Sequence, residues 1–353
     1  MVIIIGAGLS GLLTAYRLTQ KGIPFKILEA RDRIGGRIHT VYGANDTPME
    51  MGATWFGDQH HHLKSLIEEL EIGYYTQYNG DSYFFYQPEA PQHGKYPLSQ
   101  ASDSYRIHGG TSRLIKVLSE SIQEEDALLS SKVNSINVVN QNVQITTDKG
   151  VEIKGKQVVV TLPPKVWASN ITFHPNLPDQ LLGVANNTQT WMEDSTKAAV
   201  EFDHPFWKEE NKPSIIVSNT GPFIECYDHS NKEEDKYSLC GFLNPAFNQL
   251  EKEKRVEAVI HQLVDVLGEK VQDKISYKEY LWQEDTLVKS KPGIFNQPHE
   301  NNGQSIFRNT YFDGKVIFSG SETASYYAGY MEGAVVSSNL AVEQVLGPMS
   351  KTK

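Results

Sequence analysis

The stretch VIIIGAGLSGLLTAYRLTQKGIPFKILE, residues 2–29, decides the fold class. Residues 2–5 form an apolar run that reads as a buried strand, residues 12–21 carry helical spacing, and residues 24–28 read as a second strand. Between the first strand and the helix stands Gly6-Ala7-Gly8-Leu9-Ser10-Gly11. These glycines therefore have the strand-before, helix-after context that a dinucleotide fingerprint requires. Gly6 permits a tight turn, Gly8 lets backbone approach a pyrophosphate, and Gly11 allows close helix packing. A phosphate would sit at the positive end of the helix. Glu29 closes the second strand about 20 residues further on, where a carboxylate accepts from a ribose diol and repels a 2′-phosphate.

The remaining composition is that of a globular protein with room for two packed domains: 353 residues, 39% hydrophobic and 22% charged. The net charge of -10 makes nucleic acid an unsuitable partner and mildly favours a cationic substrate. The acidic runs at 123–126 and 231–236 read as solvated faces. Cys226 and Cys240 lack Cys-x-x-Cys spacing and read as two reduced, buried thiols, with no metal and no disulfide implied. His60, His61 and His62 are consecutive on a helix and point in different directions, which argues against a metal site. No apolar run approaches the roughly 18 residues of a membrane span, and no signal-peptide pattern follows the first strand. A soluble cytoplasmic protein without a membrane partner is expected.

Further along, INVV, VQITT, VEI and VVVTL (residues 136–162) read as a β-meander ended by Pro163-Pro164. TKAAVEF (196–202), SIIVS (214–218) and CGFLN (240–244) read as strands, and about 250–267 as a helix. They suggest a second domain inserted in the first. After Trp282 the segment 289–303 reads as a loop, followed by a strand at 316–318 and a final helix over about 329–346. No internal repeat is present.

The string Glu29-Ala30-Arg31-Asp32-Arg33-Ile34-Gly35-Gly36-Arg37 goes beyond the fingerprint. Here the sequence resembles the flavin-containing amine oxidase family, whose members carry Glu-x-Arg-x-Arg-x-Gly-Gly-Arg after the second strand. The resemblance implies FAD, with Gly36 letting backbone approach it and Arg37 or Arg33 neutralising pyrophosphate charge. Glu50-Met51-Gly52-Ala53-Thr54-Trp55 looks like the family segment that runs past the flavin ring, where Gly52 and Ala53 are small. Trp55 reads equally as plain core. Val133 matches the position whose backbone contacts adenine, and Trp282 joins the cofactor contacts.

Lys197 aligns with the family lysine that holds a water against flavin N5, where a cation stabilises charge developing on O2; otherwise it reads as a solvent-facing strand lysine. Gly320-Ser321-Glu322-Thr323 resembles Gly-Thr-Glu-Thr, and Gly329-Tyr330-Met331-Glu332-Gly333-Ala334-Val335 matches Gly-Tyr-Met-Glu-Gly-Ala-Val. By resemblance Glu322 accepts a ribityl hydroxyl, the helix near Gly329 aims the Met331 N–H at the flavin, and Tyr330 is one wall of an aromatic cage. The second wall falls near Pro292 and the cysteine some relatives link to flavin falls near Lys291, which implies non-covalent FAD. Tyr326, Tyr327 or Trp55 is left to complete the cage.

The resemblance implies an α/β (α+β) fold: a Rossmann-like FAD-binding domain with a β-meander (1–73, 107–187 and 286–353) and an inserted mixed-sheet substrate domain (74–106 and 188–285). Only about thirty residues stand where relatives carry a long helical insertion, so a less enclosed substrate cavity is expected. The implied reaction moves hydride from the carbon next to a deprotonated amine to flavin N5. The resulting imine hydrolyses to a carbonyl compound and ammonia, and O2 becomes H2O2. Two other readings are a flavin desaturase acting on C–C or ring C–N bonds and a weakly active flavin-binding module. The partners expected are a small amine and O2, with the chain a monomer or homodimer.

Overall fold

The computed structural model describes residues 1–89, 94–98, 103–209, 212–289 and 297–349. Its opening βαβ unit is Val2–Ile5, Leu9–Gln20 and Phe25–Leu28, the helix beginning three residues earlier than its periodicity suggests. Gly8 is extended and caps it, so helical geometry starts directly after the glycine turn.

Val2–Ile5 lies between two parallel neighbours, Phe25–Leu28 and Gln157–Val160. Ala127–Leu128 extends the sheet in parallel on one side and Val316–Phe318 on the other, with Thr310–Tyr311 antiparallel at the edge. Here the structure corrects the expected meander. The run VVVTL leaves it and pairs with the first strand, because a strand covered on both faces needs apolar residues at every position. Val159 joins Val2 and Ile4 against the helices, while Val158 and Val160 join Ile3 and Ile5 against the meander. The meander itself is Val133–Val139, Asn142–Thr147 and Glu152–Gly155, extended by Thr172–His174, which runs parallel to its first strand.

The other large sheet has seven strands in the order Ser276–Leu281, Thr196–Phe202, Tyr237–Leu243, Phe223–Asp228, Ile215–Ser218, Ser82–Tyr86 and Gly94–Pro97. Strand alternation splits Thr196–Phe202 between two environments. Ala198, Val200 and Phe202 pack with Val259, Leu263 and Leu267 of the helix Lys252–Leu267. Ala199, on the opposite face with Lys197, packs against Met49, Met51 and Cys240. Both cysteines are free and buried. Among the described residues no helix is long and apolar enough to cross a membrane.

The two ends of the chain close on each other through the helices Leu9–Gln20 and Met331–Met349. Ser10 Oγ bonds Ser319 Oγ at 2.8 Å, and Ser338 Oγ donates to Ser10 O at 3.0 Å. Gly11 makes the adjoining turn possible, since a Cβ there would stand 1.9 Å from Gly6 O. Gly11→Ala is therefore expected to cost about 3 kcal/mol or abolish folding. Gly183→Ala, with no atom near its added methyl, should stabilise its helix by up to about 1 kcal/mol. Urea denaturation of both variants checks the contrast.

Candidate functional site

A cleft of about 390 Å³ opens at the carboxyl ends of the parallel strands and runs to the seven-stranded sheet. Most of the expected site residues line it; among the described ones Gly11, Arg33, Glu322, Tyr326 and Tyr327 do not. Gly11 packs under the turn, in the structural role the sequence suggested.

At one end the cleft meets Gly6, Gly8, Leu9 and Ser10. No side chain caps the helix Leu9–Gln20 and no acidic residue stands in its first turn. Its leading N–H groups are therefore free of side-chain partners at a partial positive charge, which suits a phosphate. Glu29 is buried, and its oxygens accept from Ala7 N at 2.7 Å and Arg31 N at 2.9 Å. These bonds aim the carboxylate at the cleft beside Ala30 and Val133. A Cβ on Gly36 would stand 3.1 Å from Gly8 Cα, so the two glycine backbones form a wall that no larger residue fits. Bare donors, glycine walls and a carboxylate at the second strand end together fit a dinucleotide.

The arginines divide their work. Arg33 stitches its own loop, donating to the carbonyls of Ile34 and Gly36, and does not line the cleft. Arg31 lines the cleft and pairs with Asp285, which also accepts from Tyr280 Oη. That pairing holds Thr286, Leu287 and Val288 over the nucleotide end. Arg37 pairs with Glu322 in fork geometry, Nη1–Oε1 at 2.5 Å and Nη2–Oε2 at 2.9 Å.

Glu322 differs from its expected place. It is fully buried, and Ser321 Oγ and Trp191 N donate to the same carboxylate. Arg37 also donates to Trp191 O at 3.2 Å. The glutamate holds the arginine and the tryptophan, and they face the cleft.

Gly52, Ala53, Thr54, Trp55, Trp282, Ser321 and Met331 line the cleft together with Lys197. Lys197 is 2% exposed, which excludes a solvent-facing strand lysine. Its Nζ donates to Gly52 O at 2.9 Å and Thr54 Oγ1 at 2.6 Å, and stands 4.7 Å from the Trp55 ring centre and 5.2 Å from that of Phe242. Burial holds its pKa below the ordinary lysine value, against the opposing pull of Cys240 and Glu50. Trp55 serves both readings, with Tyr227 and Phe242 on one side and the cleft on the other. Trp282 Nε1 donates to Met51 O at 2.7 Å, fixing the strand that precedes Gly52.

The last helix begins at Met331, two residues later than expected, after Gly329 at φ +92°. Glu332 turns from the cleft and accepts from His62 N and Leu63 N, docking the helix His61–Glu69. Tyr330 packs beside Trp191 at 5.6 Å and His299 at 5.5 Å. Of the three candidates for a second wall, Tyr326 and Tyr327 lie outside the cleft against His62 and His60. Trp191, absent from the sequence reading, lines the cleft with its ring stacked on His299 at 3.9 Å. Its signal was faint: a lone aromatic in the polar stretch NTQTWMEDS. Phe242 and His60 were also missed. Pro292 and Lys291 lie outside the described residues.

The model of the flavin containing amine oxidoreductase family matches residues 9–97 and 74–346. A probable flavin-containing monoamine oxidase A of Dictyostelium discoideum is 23% identical, with 95% of each chain aligned. Amine oxidase [flavin-containing] B of Homo sapiens is 22% identical, aligned over 99% of this chain and 86% of its own. Among solved structures, putrescine oxidase bound to putrescine superposes with a TM-score of 0.84 at 18% identity, covering 98% of both chains. Cyclohexylamine oxidase from Brevibacterium oxydans gives 0.85 at 18% identity over 99% of both.

Burial alone would raise the Glu322 carboxyl, but the Arg37 charge and hydrogen bonds outweigh it and hold the pKa below the ordinary 4.5. The stabilisation from that lowered pKa is present above 4.5 and is lost as pH falls through the folded value. Glu322→Gln should cost about 2–3 kcal/mol near neutrality, less than a fully buried pair because Arg37 is partly exposed. The gap to wild type should narrow in acid, as read by denaturation at pH 7 and below pH ~4.

Proposed function

The chain belongs to the flavin containing amine oxidoreductase family, and from that premise we propose that it oxidises small amines with non-covalent FAD and O2. The observation that carries this reading is Lys197, a buried lysine at one end of a dinucleotide-shaped cleft. When bound, FAD would accept a hydride at N5 from the carbon beside the amine nitrogen and pass the electrons to O2, giving H2O2 and an imine that hydrolyses to carbonyl compound and ammonia.

The residues supply the rest. The helix end at Gly8 to Ser10 compensates pyrophosphate charge, and Glu29 accepts from the ribose diol. Two Lys197 N–H groups are spent on Gly52 O and Thr54 Oγ1, which aims the remaining one toward the cleft. A fixed donor there stabilises negative charge developing on O2. Met331, at the start of its helix, brings a second positive helix end to the ring. Glu322 serves the site through Arg37. Neither cysteine lines the cleft, which supports non-covalent attachment.

Tyr330 and Trp191 pack side by side as one aromatic wall that orients the amine, with His299 backing both. Trp55, His60, Met192 and Phe242 complete this end. Glu29, at the far end, is the sole carboxylate among the described lining residues. A second ammonium on the substrate would meet no counter-charge there and would lose its hydration. We therefore assign an apolar monoamine as substrate.

Anaerobic titration of the flavin-loaded protein should bleach its absorbance with benzylamine or cyclohexylamine, with kcat/KM at least about tenfold above that for putrescine, one missing charge contact being worth ~1.4 kcal/mol or more. Absence of bleaching by any amine would overturn the reading, and peroxide release with polyenes instead would select the desaturase. Lys197→Met should slow reoxidation by O2 about 10²-fold and leave bleaching by amine less affected, as resolved by stopped-flow absorbance.

A further inference from the structure

Behind Lys197 lies a second, small cavity of about 10 Å³, on the scale of a single water centre. Thr54 lines both this cavity and the cleft. Its hydroxyl accepts from Lys197 Nζ at 2.6 Å and donates to Gly52 O at 3.1 Å, so it is the partition through which the lysine meets the cavity.

The polar groups around this space are deeply buried. His229 is 1% exposed, and its Nδ1 has no hydrogen-bond partner among the described residues. Arg106 is 5% exposed and among the described residues its guanidinium donates to Gln77 Oε1 at 3.4 Å and His229 O at 3.3 Å, over the Tyr75 ring. Glu50 is 2% exposed and accepts from Thr40 Oγ1 and Thr111 N. An orphaned imidazole nitrogen and a loosely bound guanidinium are costly when buried, and one bridging water satisfies both. Gly109, which is exposed, and Asn231, which is half-buried, complete the lining.

We propose that this cavity is a proton well for Lys197: a water held by His229, Arg106 and Glu50 exchanges protons with the lysine through the Thr54 hydroxyl. The proposal rests on the oxidase reading for its purpose. An alkylammonium releases one proton before hydride leaves its carbon. Reduction of O2 to H2O2 takes two electrons and two protons, of which the hydride carries both electrons and one proton. The proton released at the start is thus the one needed at the end, and ammonium plus O2 balances to iminium plus H2O2. Lys197 takes that proton as a neutral amine and later yields it, while the well equilibrates the lysine with solvent.

Transfer requires the Thr54 hydroxyl to swing its hydrogen from Gly52 O to the water as it receives one from the lysine. Burial favours neutral Lys197, reinforced by Arg106 and opposed by Cys240 and Glu50. Burial likewise lowers His229 far below the ordinary imidazole value, with Arg106 and Lys197 adding to the effect, so it remains an uncharged anchor. His229 is accordingly a positioning residue.

The test uses flavin-loaded protein reduced with dithionite, so that no amine is needed, and reoxidised by O2 in H2O and in D2O. Thr54→Val should slow reoxidation about tenfold or more and create a solvent isotope effect, and Thr54→Ser should restore wild-type behaviour. Crystals of the wild type should show a water bonded to His229 Nδ1, and crystals of His229→Leu should lack it. Equal rates and isotope effects in Thr54→Val and Thr54→Ser, or a dry cavity in the wild type, would sink the well. A slowed Thr54→Val in a protein that no amine bleaches would leave the well standing and remove only the substrate reading.

Discussion

The Arg37–Glu322 pair joins side chains 285 residues apart, and the ring end of the cleft depends on it. A fully buried carboxylate is untenable alone, because desolvation disfavours its charge. Here the fork of Arg37, the Ser321 hydroxyl and the Trp191 N–H occupy its oxygens. The arginine then uses a further N–H on Trp191 O. Three distant segments are tied at one point: the loop after the second strand, the turn before the last helix, and the approach to the strand that carries Lys197. Arg37 thereby keeps one face for the cleft while its charge is fixed from behind.

Lys197 illustrates how a sheet delivers a cation to an apolar cavity. Thr196–Phe202 is buried at every position, since it has a strand on each side, a helix over one face and the cleft wall over the other. Alanines at 198 and 199 keep the strand slim. The register sets Lys197 opposite Phe242, so the aromatic that faces its ammonium comes from the neighbouring strand. The ammonium is compensated by a carbonyl, a hydroxyl and two ring faces instead of a carboxylate at contact distance. That choice leaves the lysine, when it carries a proton, uncommitted to any carboxylate at contact distance.

What was legible in the sequence was what local backbone constraint dictates. The Gly6 to Gly11 turn, the Glu29 strand end and the Gly329 to Gly333 segment need particular residues at fixed spacing, and the structure sets each where the spacing implied. The run VVVTL was misplaced because its partners are distant strands, and an apolar run records burial without saying against what. Trp191 and Phe242 were missed because their role follows from tertiary docking and register, neither of which marks the local sequence. Glu322 was recognised as important but assigned a direct contact, since spacing does not tell whether a carboxylate reaches a ligand or holds the arginine that does. His229 and Glu50 share that opacity: only the cavity between them makes them a set.

The docking of Glu332 onto the helix His61–Glu69 carries a consequence for how the molecule is made. During synthesis the glycine turn and Glu29 leave the ribosome first, while Glu322, Met331 and Glu332 follow some three hundred residues later. Until they emerge, Arg37 has no counter-charge, the ring end has no floor, and the helix at 61–69 lacks its carboxylate cap. The nascent nucleotide loop is thus a half-built socket, and firm cofactor capture waits for the closing helix. A chain cut short before that helix carries its best-known signature intact and lacks the partners that fix Arg37 and close the other end of the cleft.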